Sequence, residues 1–323
     1  MCRTLCVLAL LTLQAGLAHC FSWDIVMATG SRLDFYNEGK VTYSVTLTNV
    51  RVDWITYDPF HNRVLFTNDS RSLLSFDIAT RKSQTLIDLK PVPDKNQYTY
   101  DPATGLFFAT SSCKMYSYLV KLESNHEVDA NFVIDLGNYC SNIAVDSCGG
   151  YIYWISGPFI IVRARLNSSE REEVIESNDK LRYKLNIDPQ TQNMYWMELD
   201  HESRQYFILS ADLNGKHRIT LSEFHEQDYF YKTLVLTVSN DYIYWMKYVE
   251  TLKDWFYWKI PKNLLIGTDV EPKQIAFQDL STASDYYRFI AANYAIEEQT
   301  QGIPLCNALK RLLPIYSETN DSD

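Results

Sequence analysis

The sequence predicts an all-β protein: a six-bladed β-propeller closed by N-terminal outer strands and a C-terminal inner strand. Three observations predict it. An aromatic phrase recurs as IYWIS (152–156), MYWME (194–198) and IYWMK (243–247), and more faintly as LFTND (65–69), LFFAT (106–110) and IVMAT (25–29). The copies align at Met27, Phe66, Phe108, Trp154, Trp196 and Trp245, at intervals of 39, 42, 46, 42 and 49 residues. That spacing is close to the roughly 40–45 residues of a four-stranded propeller blade. The third observation is the high aromatic content, 14% with 23 tyrosines, which suits strands.

Each copy begins with an extended segment ending in Asp: WITYD (54–58), QYTYD (97–101), NIAVD (142–146) and KLNID (184–188), with VLTVS (235–239) as a fifth that ends in Ser239. A short polar turn follows, rich in the Asp, Pro, Asn and Gly that turns require. The aromatic strand then returns antiparallel. A third strand follows in LLSFDIATRKS, IIVRARLNSSERE and ILSADLNGKHR, and Asp212-Leu213-Asn214-Gly215 reads as a hairpin turn into a fourth. The ends are out of phase with the middle. Residues 24–36 lack an Asp-ending partner, and 284–294 supply an extended segment with no blade after it. Together they complete a sixth blade, which removes two exposed sheet edges.

The first 18 residues read as a secretory signal peptide, with cleavage as late as residue 20 left open. Arg3 supplies the charged end, Leu5 to Leu13 the apolar run and Gly16-Leu17-Ala18 the small-residue cleavage pattern. The expected organisation is therefore a signal at 1–18, a propeller at 21–300, and a short capping segment with a polar tail at 301–323. A secreted, extracellular chain with no membrane span is expected, acting as a monomer. No later stretch approaches the ~18 apolar residues of a span. The net charge of −10 argues against nucleic acid, because no basic surplus is present to neutralise phosphates. Asn68 and Asn167 head the better-placed glycosylation sequons.

Four cysteines, Cys113, Cys140, Cys148 and Cys306, lie beyond the signal, joined by Cys20 if cleavage follows Ala18. Cys113 ends an aromatic strand and Cys140 begins the next inner strand, so both fall on one face of neighbouring blades. A Cys113–Cys140 disulfide is expected, since Cys148 lies about a strand length away. Cys20 and Cys306 flank the closing blade and are expected to pair if both are retained.

The inner strands surround a central axis. Four residues before the terminal Asp stand Trp54, Gln97, Asn142 and Lys184; two before it stand Thr56, Thr99, Ala144 and Asn186. The residues between are apolar or aromatic, the alternation of a half-buried strand. It admits two readings: inter-blade packing beside a narrow wet axis, or a ligand mouth containing Trp54, Gln97, Asn142 and Lys184. An aromatic plane with a few convergent polar groups is what a flat polar ligand requires. The regular Trp154, Trp196 and Trp245 read as blade core, whereas Trp54, Trp255 and Trp258 fall outside the repeat and are freer to touch a ligand. Asp58, Asp101, Asp146 and Asp188 read as turn residues accepting backbone N–H bonds.

Histidines are scattered without HExxH spacing, and no G-x-S-x-G elbow or Gly-rich phosphate loop occurs. Only Asn142 and Asn186 read as inward oxygen donors, against the six to eight that calcium prefers. No cofactor and no enzymatic activity are expected.

The repeated [IM]YW, the Asp about eight residues earlier and the D-L-N-G turn resemble the YWTD six-bladed propeller of low-density-lipoprotein-receptor relatives, over residues 24–296. No copy reads YWTD in full. Receptor propellers of that family are followed by a cysteine-rich module, whereas here IPLCNALKRLLPIY (303–316) follows. The overall pattern is most similar to the stand-alone ommochrome-binding proteins of insects. That resemblance implies a carrier of a small aromatic ligand, an ommochrome-type pigment or its tryptophan-derived precursor. The alternative is a propeller that binds an extracellular protein with one face.

Overall fold

The computed structural model describes residues 22–48, 50–68, 72–89, 97–102, 104–120, 131–137, 139–146, 149–166, 170–176, 180–188, 191–225, 235–249, 254–262, 273–276 and 288–292. They form six four-stranded antiparallel sheets, with no helix among the described residues. Blade 1 contains β1 (Ile25–Thr29), β2 (Arg32–Asn37) and β3 (Lys40–Thr46), with β24 (Arg288–Ala292) as its inner strand. Blade 2 is β4 (Val52–Asp58), β5 (Arg63–Asn68), β6 (Ser72–Asp77) and β7 (Lys82–Asp88). Blade 3 is β8 (Tyr98–Asp101), β9 (Leu106–Ser111), β10 (Lys114–Leu119) and β11 (Asn131–Asp135). Blade 4 is β12 (Cys140–Asp146), β13 (Tyr151–Ser156), β14 (Ile160–Arg165) and β15 (Arg171–Ile175). Blade 5 is β16 (Leu181–Asp188), β17 (Asn193–Asp200), β18 (Gln205–Asp212) and β19 (Ile219–His225). Blade 6 is β20 (Val235–Val238), β21 (Tyr242–Val249), β22 (Asp254–Pro261) and β23 (Lys273–Ala276).

The aromatic phrase is the second strand of every blade, buried on both faces. Successive side chains point to opposite faces of a strand, so each such strand supplies two neighbours at once. In β13, Trp154 packs toward blade 3 with Phe108 and Met115. Tyr153 and Ile155 pack toward blade 5 with Met194, Trp196 and Leu209. Six clusters of this kind lie between successive blades around the ring. The aligned positions Met27, Phe66, Phe108, Trp154, Trp196 and Trp245 are all 0–1% exposed, which establishes them as core.

The ring closes as the out-of-phase ends require. β24 pairs antiparallel with β1, Ile25 opposite Ala292 and Thr29 opposite Arg288. Side chains reinforce the joint between blades 6 and 1. The Tyr257 hydroxyl reaches Asp24 Oδ2 at 3.4 Å, and Lys259 Nζ donates to Glu38. The expected Cys113–Cys140 disulfide is present, with Cα atoms 5.5 Å apart, and it ties the β9–β10 turn of blade 3 to the start of β12 in blade 4. The signal segment, Cys20, Cys148, Asn167, Cys306 and the capping segment at 301–323 lie outside the described residues. No helix among the described residues is long and apolar enough to cross a membrane.

Candidate functional site

The inner strands enclose a cavity of about 410 Å³ on the ring axis. Trp54, Gln97, Asn142 and Lys184 all line it, as do Thr56, Thr99, Asn186 and Thr237 from the next inward register. Tyr98 lines it as well, its ring 6.0 Å from that of Trp54, and both rings pack on Phe107 behind them. The wall therefore offers an aromatic surface on blades 2 and 3 and polar groups on blades 3, 4 and 5.

Two features of this wall were not legible in the repeat. In β12 the pairing with β13 slips between Ser141 and Ala144, leaving Asn142 and Ile143 opposite Trp154; in β16 it slips between Tyr183 and Asn186, leaving Lys184 and Leu185 opposite Trp196. Asn142 (φ 50°) and Lys184 (φ 56°) therefore occupy the same bulge position in adjacent blades, both in the left-handed region. Asparagine visits that region readily, whereas lysine does so at a cost. Bulges re-aim side chains next to functional sites. No bulge interrupts the pairing at Gln97, where Thr110 N donates to the Gln97 carbonyl at 2.9 Å. In blade 2 the extra residue is Asp53, so Trp54 stays in register opposite Thr67.

Hydrogen bonds link these residues across blades. The Asn142 amide N–H donates to Gln97 Oε1 at 3.2 Å, and Asn186 Nδ2 donates to the Leu236 carbonyl at 2.9 Å. Lys184 differs: surrounding protein strips water from its ammonium and pushes its pKa down, and no partner among the described residues offsets this. Blades 2 and 5 lie three steps apart in a ring of six, so Trp54 and Lys184 face each other across the axis.

The strand-end aspartates do more than cap turns. Asp58 is fully buried; its Oδ1 accepts from the Phe60 amide, the expected turn bond, at 3.2 Å. Its Oδ2 accepts from Arg63 Nε and the Tyr100 hydroxyl, both at 2.9 Å, and lies 2.7 Å from His61 Nδ1. Asp188 accepts from Thr191 Oγ1 at 2.7 Å and from Lys262 Nζ of blade 6 at 2.5 Å. Asp146 requires its turn glycine, because a Cβ on Gly149 would sit 2.2 Å from Asp146 Oδ2. Asp58 and Asp188 thus join neighbouring blades as well as closing turns.

Trp258 is not among the residues lining the channel. Trp258 lies on the third strand of blade 6, opposite Trp245 and stacked on it at 6.4 Å and 11°, within the packing between blades 5 and 6. Its place outside the repeat reflects cross-strand packing, which the aromatic phrase does not encode. Trp255 pairs with Tyr248 in the same hairpin; its side chain is outside the described set. Asn68 is the last residue of β5 rather than part of an exposed loop. It is 7% exposed, and its Oδ1 accepts from the Ser72 amide at 2.8 Å. Among the described residues, no group of three or more His, Cys, Asp or Glu is arranged to hold a metal.

No family model and no curated protein matches the sequence. Solved structures match it by shape. A putative TolB from Agrobacterium tumefaciens is 10% identical, with 85% of this chain and 95% of that one covered at a TM-score of 0.54. A nidogen/laminin complex is 12% identical over 74% and 73% at 0.35. An oligogalacturonate lyase in complex with manganese is 10% identical over 72% and 77% at 0.45. These likenesses bear on fold alone. The lyase nevertheless corrects the expectation that this chain is not an enzyme: that expectation rested on absent motifs, and an enzyme is among the structures matched. At this degree of likeness, the match does not make the present chain a lyase.

Proposed function

We propose that this chain is a secreted binding propeller, acting as a monomer, that carries a small aromatic ligand in its central channel. The observation that carries the reading is the channel wall itself. Trp54 and Tyr98, whose rings pack on Phe107 between blades 2 and 3, line a 410 Å³ cavity whose other lining includes Gln97, Asn142 and Lys184. Such a combination of flat apolar surface and a few convergent polar groups suits a planar, polar guest. An ommochrome-type pigment or a tryptophan-derived precursor has that chemistry, and the partial YWTD pattern with its stand-alone insect counterparts supports the same class. The signal-like residues 1–18 and the Cys113–Cys140 disulfide support an oxidising, extracellular setting. Titration with xanthommatin while following tryptophan fluorescence tests the reading. Saturable quenching that weakens in Trp54→Ala is expected; no quenching, or quenching unchanged by the substitution, would contradict it.

A second reading rests on a different observation. Tyr139 and Phe132 are 76% and 57% exposed, beside the joint of blades 3 and 4, and suit an extracellular protein partner. Native mass spectrometry of the purified protein separates the two: a retained small molecule supports the carrier, and a stoichiometric protein partner lost on Tyr139→Ser supports the interaction module.

A further inference from the structure

We infer that the channel's ligand carries a carboxylate, that Lys184 receives it, and that the ligand's aromatic plane lies toward Trp54 on the opposite wall. The inference deepens the carrier reading and rests on it.

Three observations carry it. Lys184 lines the cavity and has no hydrogen-bond or ion-pair partner among the described residues, whereas the other charged groups lining it are engaged. Asp53 accepts from Thr67 Oγ1, and Asp188, four residues along β16, is held by Thr191 and Lys262. Second, the residue sits in a left-handed bulge, a conformation lysine adopts at a cost and one that concentrates at ligand sites. Third, the same bulge in blade 4 places Asn142 beside it at the same level. A lone ammonium flanked by an amide, facing an indole across the ring, has the charge and polarity to receive a planar aromatic acid.

Burial alone depresses the Lys184 pKa. The charged groups on the elements packed against it are committed elsewhere or distant. On its own strand Arg182 pairs with Glu198 of β17, Asp188 is bonded as above, and Asp146 closes the far end of β12. β20 brings no charged residue. A bound carboxylate would therefore be the partner that keeps this amine protonated, and affinity should fall as pH rises through its depressed pKa.

The test compares xanthurenate with its carboxamide, the same flat ring without the charge, by calorimetry on the full chain from pH 6 to 10. The acid is expected to bind about tenfold or more tightly than the amide near pH 6. That preference should be lost in Lys184→Met, kept in Lys184→Arg, and shrink as pH rises in the wild type. Equal binding of acid and amide, or a preference that survives Lys184→Met, overturns the inference while leaving the carrier reading in place. Binding of neither probe removes the carrier reading and the inference with it.

Discussion

Tyr100 of blade 3 donates its hydroxyl to Asp58 Oδ2 of blade 2 at 2.9 Å, so the last residue of one inner strand is anchored by the inner strand of the next blade. A bond to a charged, buried acceptor contributes about 1.5–3 kcal/mol. Tyr100→Phe is therefore expected to lower stability by about 2 kcal/mol in urea unfolding. Tyr57→Phe, which loses only an exposed bond to Asn62 Oδ1, should cost under about 1 kcal/mol. Equal losses from the two variants would contradict an inter-blade role for Tyr100.

The tyrosines predict an alkaline limit. Burial pushes Tyr57, Tyr118 and Tyr153 up to about 12, and raises Tyr100, Tyr195, Tyr244 and Tyr257 as well. A phenol whose folded pKa lies above the unfolded value of 10 contributes stability that is complete below pH 10 and is lost as pH climbs toward the folded value. Absorbance at 295 nm should show only part of the 23 tyrosines ionising near pH 10, the rest appearing in one step with loss of structure near pH 12. A single smooth titration of all of them at pH 10 would contradict the burial described here.

Glu198 sits at the centre of a buried charge cluster. Its Oε1 accepts from Arg182 Nε at 2.9 Å and from the Trp196 indole at 3.0 Å, and its Oε2 from Arg218 at 2.5 Å. Removing one partner of a buried pair costs about 3–5 kcal/mol, because the other charge is left uncompensated. Glu198→Ala should lose that much and shift Trp196 emission. A loss below about 1 kcal/mol would place the cluster in solvent.

Lys184 is expected to cost stability in the unliganded protein. Its ammonium is desolvated without a partner, and its backbone is left-handed. Lys184→Met, which relieves the charge, and Lys184→Gly, which relieves the backbone, should each gain about 1 kcal/mol, a rise of about 2 °C in Tm. A folded pKa depressed below the ordinary 10.5 makes the charge penalty largest at low pH. The advantage of Lys184→Met should therefore shrink as pH approaches 10.5. Destabilisation by both variants would show that Lys184 serves the fold.

The ring was legible because it rests on repetition: a position that returns once per blade must do the same job each time, and Trp154, Trp196 and Trp245 are all core. The closing blade was legible from the missing halves at the two ends. The shared place of Trp54, Gln97, Asn142 and Lys184 was legible from their common position four residues before the Asp that ends each inner segment. The bulges at Asn142 and Lys184 were not legible, because φ at those positions is set by pairing with the neighbouring strand, and a lysine carries no local signal for it. Trp258 was read as free of the repeat, yet it stacks on Trp245, a contact fixed by hairpin register. The burial of Arg63 against Asp58 has no signal in the repeat, because it depends on a carboxylate on the neighbouring strand.

A crystal structure of the protein grown with xanthurenate tests the central claim most directly. The account predicts density in the axial cavity, with the ring plane toward Trp54 and Tyr98 and the carboxylate within hydrogen-bond distance of Lys184 Nζ. Ligand bound only on the outer faces of the blades, with the cavity holding solvent alone, would contradict it.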